Sequence, residues 1–304
     1  MKLIFVHGRN QQGKDPEALR LEWQDALAEG FRRVSLPWPE GTEPLLPFYG
    51  DELDKMMKAL KAPLAADVVS RGGDEAAIRD RESELRSELL QEIAEAEGIT
   101  APEITSQFAA DVAARGGDAA AVGRGVGNWE WVHSILKLLD RTPIGSHAID
   151  EFTRDVSVYL TNGNVRRRID DMIRAVIPDD EPCLVVGHSL GSVVAYNVLR
   201  QLPAGSAIRY VTVGSPLGIG AIQRQLDTLA MPSRVAHWYN AMDERDVVAL
   251  YPLDEKRFAI KPTIENKTTV DNRTGEHHGI VGYLQDPDVA RVAYLGLTAD
   301  RRSH

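Results

Sequence analysis

CLVVGHSLGSVVAY, residues 183–196, is the stretch that decides the fold. The apolar run Cys183–Val186 has the length and β-branched character of a buried strand, and the residues after Gly191 have the apolar spacing of a helix. Between the two lies Ser189, with Gly187 two residues before it and Gly191 two residues after it. Small neighbours give the backbone room for a tight turn, so the pattern predicts a serine held at a strand-to-helix junction.

Similar short apolar runs, each bounded by turn residues, occur on both sides of this stretch. The predicted strands are Leu3–Val6, Arg33–Leu36, Cys183–Val186, Tyr210–Val213 and Val235–Ala241, with a weaker one at Arg257–Ile260. Amphipathic helical patterns separate most of them, the first over Asp15–Gly30. This alternation predicts an α/β fold built on a doubly wound, mostly parallel sheet.

The segment from Leu45 to Asp150 interrupts the alternation. It has no convincing strand, is rich in Ala, Glu, Arg and Leu, and contains a long helical pattern from Asp74 to Glu97 that stops at Gly98. We therefore expect a single α/β domain over residues 1–304, with a helical cap insertion at 45–150.

Composition and charge limit the class of partner. With 304 residues and a net charge of −10, the chain can bury a large core but does not favour nucleic acid or an anionic membrane as a partner. The apolar run at the N-terminus is too short for a signal peptide, and no stretch approaches the ~18 apolar residues of a membrane span. We expect a cytoplasmic protein without an integral membrane segment, and the sequence indicates no particular protein partner.

A serine nucleophile needs hydrogen-bond donors for the oxyanion that forms during acyl transfer. The Leu190 amide, at the start of the helix, is one predicted donor. The second is the Arg9 amide in IFVHGRN (residues 4–10), where Gly8 lets the backbone after the first strand approach a ligand closely. His7, at the end of that strand, is interpreted as structural.

GHSLGSVVAY, with FVHGRN upstream, resembles the α/β-hydrolase superfamily, and the GHSLG form is similar to its lipase- and esterase-like members. The resemblance covers residues 2–36 and 150–295, and the cap insertion falls outside it. It implies the α/β-hydrolase fold and a catalytic triad in the chain order nucleophile, acid, histidine.

The resemblance also implies where the acid and the histidine lie, and it leaves two alternatives for each. AMDERDVVAL (residues 241–250) follows a predicted strand and offers Asp246, which we prefer because an apolar pair follows it, or Asp243, which is nearer the strand end. GEHHGIVGYL (residues 275–284) offers His278, which we prefer because it leads into a helical pattern, or the adjacent His277.

These residues predict a serine hydrolase that cleaves a small acyl substrate, which would be a carboxylic ester, a thioester or a lipid acyl bond. Ser189 would attack through an acyl-enzyme intermediate, the histidine would accept its proton, and the carboxylate would orient the histidine. No cofactor is expected, and no metal, because the histidines lack a ligand spacing such as H-E-x-x-H. The alternatives are a peptidase or amidase of the same fold, and a non-catalytic binding protein on this scaffold.

Overall fold

A computed structural model of the chain describes residues 1–61, 72–117, 129–141 and 146–299. The chain divides into two compact units. The first, called the sheet unit, comprises Met1–Asp54, Arg167–Gly218 and Leu226–His304. The second, called the helical unit, comprises Lys55–Arg166 and Ile219–Gln225, so it overlaps most of the predicted cap insertion at 45–150.

A six-stranded sheet in the order β2-β1-β3-β4-β5-β6 organises the sheet unit, and every neighbouring pair is parallel. The strands are β1 (Lys2–Val6), β2 (Pro44–Leu45), β3 (Cys183–His188), β4 (Ile208–Val213), β5 (Val235–Ala241) and β6 (Glu265–Lys267). All six residues of β3 are buried, as expected for a central parallel strand covered on both faces. The predicted α/β class with a parallel sheet is confirmed.

The helices of the described residues have the following bounds: α1 Pro16–Arg33, α2 Gly50–Lys61, α3 Gly72–Ala96, α4 Ala101–Ala114, α5 Trp129–Leu139, α6 Ser146–Thr161, α7 Gly163–Arg174, α8 Leu190–Arg200, α9 Gly220–Gln223, α10 Ile280–Leu284 and α11 Pro287–Thr298. Within the described part of the chain, none of them has both the length and the apolar composition needed to cross a bilayer.

Helices cover both faces of the sheet. Alternate strand residues, Leu3 and Phe5 on β1 among them, share one buried core with apolar side chains of α1, α10 and α11. Helix α8 packs on the opposite face, where it lies against β3 and β1. Because successive residues of a strand point to opposite faces, one strand supplies apolar side chains to both layers.

Two predicted strands are wrong. Over Arg33–Leu36 the chain instead completes α1, because Trp23, Leu27 and Phe31 continue one buried helix face, and it then turns at Ser35, where φ is 57°. Over Arg257–Ile260 it forms a turn, in which the Phe258 amide donates to the Asp254 carbonyl at 2.6 Å. The short strands β2 and β6 were not predicted, since two or three residues are too few to show a pattern.

The helical unit is held together by α3, α4, α5 and α6, which pack against one another around buried apolar side chains. Helix α3 ends close to the predicted stop at Gly98, where φ is +79°. Buried Asp111 is fully paired: Ser134 donates to it at 2.7 Å and Lys137 at 2.6 Å. Glu92 accepts the first amides of α9, from Gly220 at 2.9 Å and Ala221 at 2.8 Å.

Candidate active site

Ser189 forms a strained junction between β3 and α8. It is the N-cap residue of α8, with φ 53° and ψ −132°, a backbone conformation that residues with side chains rarely adopt. A side chain on Gly191 would begin 2.2 Å from the Val6 carbonyl oxygen, and one on Gly187 would begin 2.8 Å from Cα of Ser192. Both glycines that flank Ser189 are therefore required by space, and the turn that carries Ser189 depends on them.

The Ser189 hydroxyl is buried, yet its Oγ has no hydrogen-bond partner among the described residues. The side chain also makes no capping bond to α8, although it occupies the N-cap position. The Leu190 amide begins the helix, so it is one of the N–H groups that have no acceptor within the helix. Amides at a helix N-terminus stabilise a negative charge, which suits Leu190 to its predicted role as an oxyanion donor.

The loop after β1 passes directly beside Ser189. A Cβ on Gly8 would lie 2.8 Å from Cβ of Ser189 and 3.3 Å from its Oγ, so only glycine permits this approach. Arg9, the second predicted oxyanion donor, follows immediately. The sheet order explains the meeting, because the chain leaves β1 towards β2 on one side and β3 towards β4 on the other. Such a reversal opens a crevice at the carboxyl ends of the strands, where α/β proteins bind ligands.

His7 fixes this loop. Its ring accepts the Tyr49 amide at Nε2 (3.0 Å) and donates from Nδ1 to the Gly8 carbonyl (2.7 Å), while the Tyr49 ring stacks on it at 3.9 Å. Burial lowers the pKa of His7 to about 4, so the ring is neutral near pH 7. With both ring nitrogens engaged, His7 has the structural role that the sequence indicated.

Asp246 and His278 form an acid–histidine pair in which the carboxylate is buried and the imidazole is partly exposed, at 21%. Nδ1 of His278 lies 2.8 Å from Oδ2 of Asp246, and the amides of Val248 and Ala249 donate to Oδ1 at 2.9 and 3.3 Å. Burial acts to raise the pKa of Asp246, but its bonds to His278 and Tyr283 prevail and lower it. The carboxylate thus accepts a hydrogen bond from Nδ1–H of His278, which leaves Nε2 as the ring nitrogen that can act as a general base.

The alternative acid and histidine have other partners. Asp243 accepts from Arg245 at 2.7 Å and from the Asn272 amide at 2.8 Å. His277 places Nδ1 2.7 Å from the Asn272 carbonyl oxygen, with its own φ at 55°. Of the four alternatives from the sequence, the structure pairs Asp246 with His278. The other two, Asp243 and His277, are hydrogen-bonded to the backbone of Asn272.

His188 connects this pair to the serine. Its Nε2–H donates to the His278 carbonyl at 2.8 Å, and the two imidazole rings lie 4.7 Å apart. Burial lowers the pKa of His188 to about 3, with the nearby His278 adding to the effect. The residue next to Ser189 is therefore a neutral donor that holds the backbone of His278. The Ser189 hydroxyl itself makes no hydrogen bond to the His278 ring in this structure.

Sequence reasoning assigned no role to His188 or Tyr283, although both lie inside the quoted motifs. Tyr283 donates its hydroxyl proton to Oδ2 of Asp246 at 2.6 Å. The available signal was a polar side chain inside an otherwise apolar stretch, VVGHSLG for the histidine and GIVGYL for the tyrosine. Such a side chain needs a buried partner, but the sequence alone does not say which one.

No family model matches this chain, and no curated protein matches its sequence. Among the residues that the structure describes, no group of three or more His, Cys, Asp or Glu side chains could hold a metal ion. The serine turn and the acid–histidine pair are therefore the features that bear on function.

Proposed function

We propose that this chain is a serine hydrolase of the α/β-hydrolase type that cleaves a carboxylic ester, a thioester or a lipid acyl bond. The proposal rests on two features found together where the carboxyl ends of the strands lie, namely the serine turn and the acid–histidine pair. A strained serine with an unpartnered hydroxyl follows β3, and the preceding residue, His188, donates a hydrogen bond to the backbone of His278, which is paired with the buried Asp246. Strained backbone concentrates at functional sites, and this strain falls on the predicted nucleophile.

In the proposed reaction, Oγ of Ser189 attacks the acyl carbon while Nε2 of His278 accepts the hydroxyl proton. The carbonyl oxygen becomes an oxyanion, which the amides of Leu190 and Arg9 stabilise. The imidazolium then returns the proton to the leaving alcohol or thiol as the acyl–oxygen or acyl–sulfur bond breaks. Water, deprotonated by the same histidine, hydrolyses the acyl-enzyme and restores the serine. Asp246 stabilises the imidazolium throughout and does not itself take the proton.

Hydrolysis of p-nitrophenyl esters of increasing acyl length tests this proposal. Ser189→Ala should reduce the rate on the preferred ester by about 10⁴- to 10⁶-fold. Ser157→Ala is the matched control, since it also removes a buried serine hydroxyl, one that donates to the Thr153 carbonyl within α6. Ester hydrolysis that survives Ser189→Ala at the parent's rate would reject the nucleophile.

The proposal includes a cap function for the helical segment at 45–150, which rests on the sequence pattern alone. If the segment selects the acyl group, replacing part of it with a short linker should alter the preference for acyl length more than it alters turnover of the acetate ester. An unchanged chain-length profile would argue against the cap.

A further inference from the structure

Tyr283 has an unusual position relative to the acid–histidine pair. It lies in α10, is fully buried, and its hydroxyl donates to Oδ2 of Asp246 at 2.6 Å while accepting the Asp243 amide at 3.2 Å. Oδ2 is the same oxygen that accepts from Nδ1 of His278 at 2.8 Å. Two donors therefore share one carboxylate oxygen, and the tyrosine hydroxyl competes with the histidine for its negative charge.

We propose that Tyr283 is a positioning residue of the proposed hydrolase, and that its hydroxyl sets how strongly Asp246 holds the proton-bearing form of His278. The inference rests on the proposed function. A hydrogen bond to a carboxylate spreads its charge, so each added donor weakens the attraction that remains for the imidazolium. With Tyr283 present, the histidine releases its proton at a lower pH and stays available as a base.

The same hydroxyl also orients the carboxylate. Three of the donors to Asp246, the amides of Val248 and Ala249 and the side chain of His278, come from its own loop or from the histidine that it serves. Tyr283 comes from α10, a separate element, and by accepting the Asp243 amide it connects the start of the loop that carries Asp246 to that helix. Removing it should loosen the geometry of the pair without disturbing the loop's own turns.

Four ionisable groups around the pair keep a constant charge between pH 5 and pH 9. His188, packed from β3, has its pKa lowered to about 3 by burial and is neutral. The Arg245 bond overcomes the effect of burial and lowers the pKa of Asp243, and Asp243 in turn raises the pKa of Arg245, so both stay charged. Burial and the charge of Asp246 raise the pKa of Tyr283, which keeps its proton. None of these four groups can therefore account for a change in pH dependence in Tyr283→Phe.

The test measures the second-order rate constant for labelling by a fluorophosphonate between pH 5 and 9, a reaction that does not require the natural substrate. In Tyr283→Phe the pH of half-maximal labelling should rise by about half a unit, because Asp246 holds the imidazolium more strongly. The plateau rate should fall by about 3- to 10-fold, because the carboxylate is oriented less well.

Tyr196→Phe is a matched control. Tyr196 is also fully buried, and its hydroxyl donates to the Ala230 carbonyl at 2.9 Å and accepts the Ala230 amide at 3.1 Å, so the control removes the same number of bonds. Its labelling midpoint should equal the parent's. A folded Tyr283→Phe protein with the parent's midpoint, or an equal shift in both variants, would overturn the inference.

Two further measurements keep the inference testable in other cases. Should Tyr283→Phe not fold, incorporation of 3-fluorotyrosine at position 283 keeps the shape and strengthens the donor, so the midpoint should move to lower pH, and an unmoved midpoint rejects the inference. Should the parent not be labelled at all, the proposed function fails by itself. The proton NMR signal of the His278 Nδ1–H bond to Asp246 then decides the role of Tyr283, since it should move downfield in Tyr283→Phe, and an unchanged signal rejects it.

Discussion

The sheet unit and the helical unit place unfavourable backbone angles on different kinds of residue. In the described part of the helical unit, positive φ occurs at glycines that end helices, Gly98 at +79° and Gly116 at +76°, with open space where a side chain would begin. In the described part of the sheet unit it also falls on residues with side chains: on Ser35 and Asp227, and on the three residues Asn10, Ser189 and His277. Those three lie after β1, after β3 and next to His278, which are the segments that form the candidate site.

The difference separates two uses of strain. A glycine at the end of a helix adopts the left-handed conformation at little cost and satisfies the last carbonyl groups. A side-chain residue in such a conformation costs on the order of 1–3 kcal/mol and persists only where the surrounding structure imposes it. The strained conformation of Ser189, the proposed nucleophile, thus lowers the stability of the folded chain.

The largest expected effect concerns the two carboxylates and the two histidines. Asp246→Asn and His278→Ala should each reduce ester hydrolysis by about 10⁴-fold, since they destroy the pair that generates the base. Asp243→Asn and His277→Ala should reduce it by less than about 10-fold, because their side chains serve the loop around Asn272. Steady-state kinetics of the four variants checks this, and the opposite ranking would mean that the wrong pair has been chosen.

A second prediction distinguishes a glycine that is needed because a side chain would clash from a glycine that is needed because its φ is positive. Gly191→Ala should lower the free energy of unfolding by about 3 kcal/mol, because the new Cβ would meet backbone oxygens that cannot move aside. Gly98→Ala, in the helical unit, should cost only about 1 kcal/mol, since its neighbourhood is open and only φ is unfavourable. Urea denaturation measures both, and equal losses would remove the distinction between the two units.

A third prediction concerns pH. The unfolded chain protonates a histidine near its ordinary pKa of 6.5, whereas the folded chain protonates His188 only at about 3 and His7 only at about 4. More protons then bind to the unfolded state, so stability is complete above pH 6.5 and is lost as the pH falls towards those values.

Between pH 7.5 and pH 5, the free energy of unfolding should fall by about 2 kcal/mol less in His188→Gln than in the parent. His147→Gln, at an 88% exposed side chain of the helical unit, should keep the parent's pH dependence. Urea denaturation at the two pH values provides the measurement. A His188→Gln protein with the parent's pH dependence would show that this buried ring does not resist protonation.

The smallest expected effect is a gain in stability. Ser189→Gly should be more stable than Ser189→Ala by about 1 kcal/mol, because glycine accepts the positive φ while alanine retains the strain. Neither variant has a nucleophile, so the comparison isolates the backbone. Thermal unfolding of the two proteins decides it, and a less stable glycine variant would show that the turn is not strained.

Those parts of the fold and site that depend on local pattern could be predicted from the sequence. The apolar runs identified β1, β3, β4 and β5, and the glycine spacing identified the turn at Ser189. Arg33–Leu36 failed because an apolar run at a helix end resembles a short strand, and only the packing of Phe31 decides between them.

The choice between adjacent residues depended on contacts between distant segments. His277 and His278 are indistinguishable as neighbours in a sequence, but in the structure His277 is hydrogen-bonded to Asn272 and His278 to Asp246. Tyr283 and His188 are similar cases, since each acts through a partner more than 30 residues away, 37 for Tyr283 and 90 for His188. A sequence pattern shows how residues are spaced along one helix or strand. These bonds join different elements, so the pattern does not predict them.

Fluorophosphonate labelling followed by peptide mapping tests the central claim most directly. The account predicts a covalent adduct on Ser189, rapid at pH 8, suppressed in Asp246→Asn and His278→Ala, and absent from Ser189→Ala. Ser192 and Ser215 are internal controls, because they are buried near the same turn and hydrogen-bonded to each other at 2.7 Å. Labelling on another serine, or labelling that Ser189→Ala does not abolish, would contradict the account.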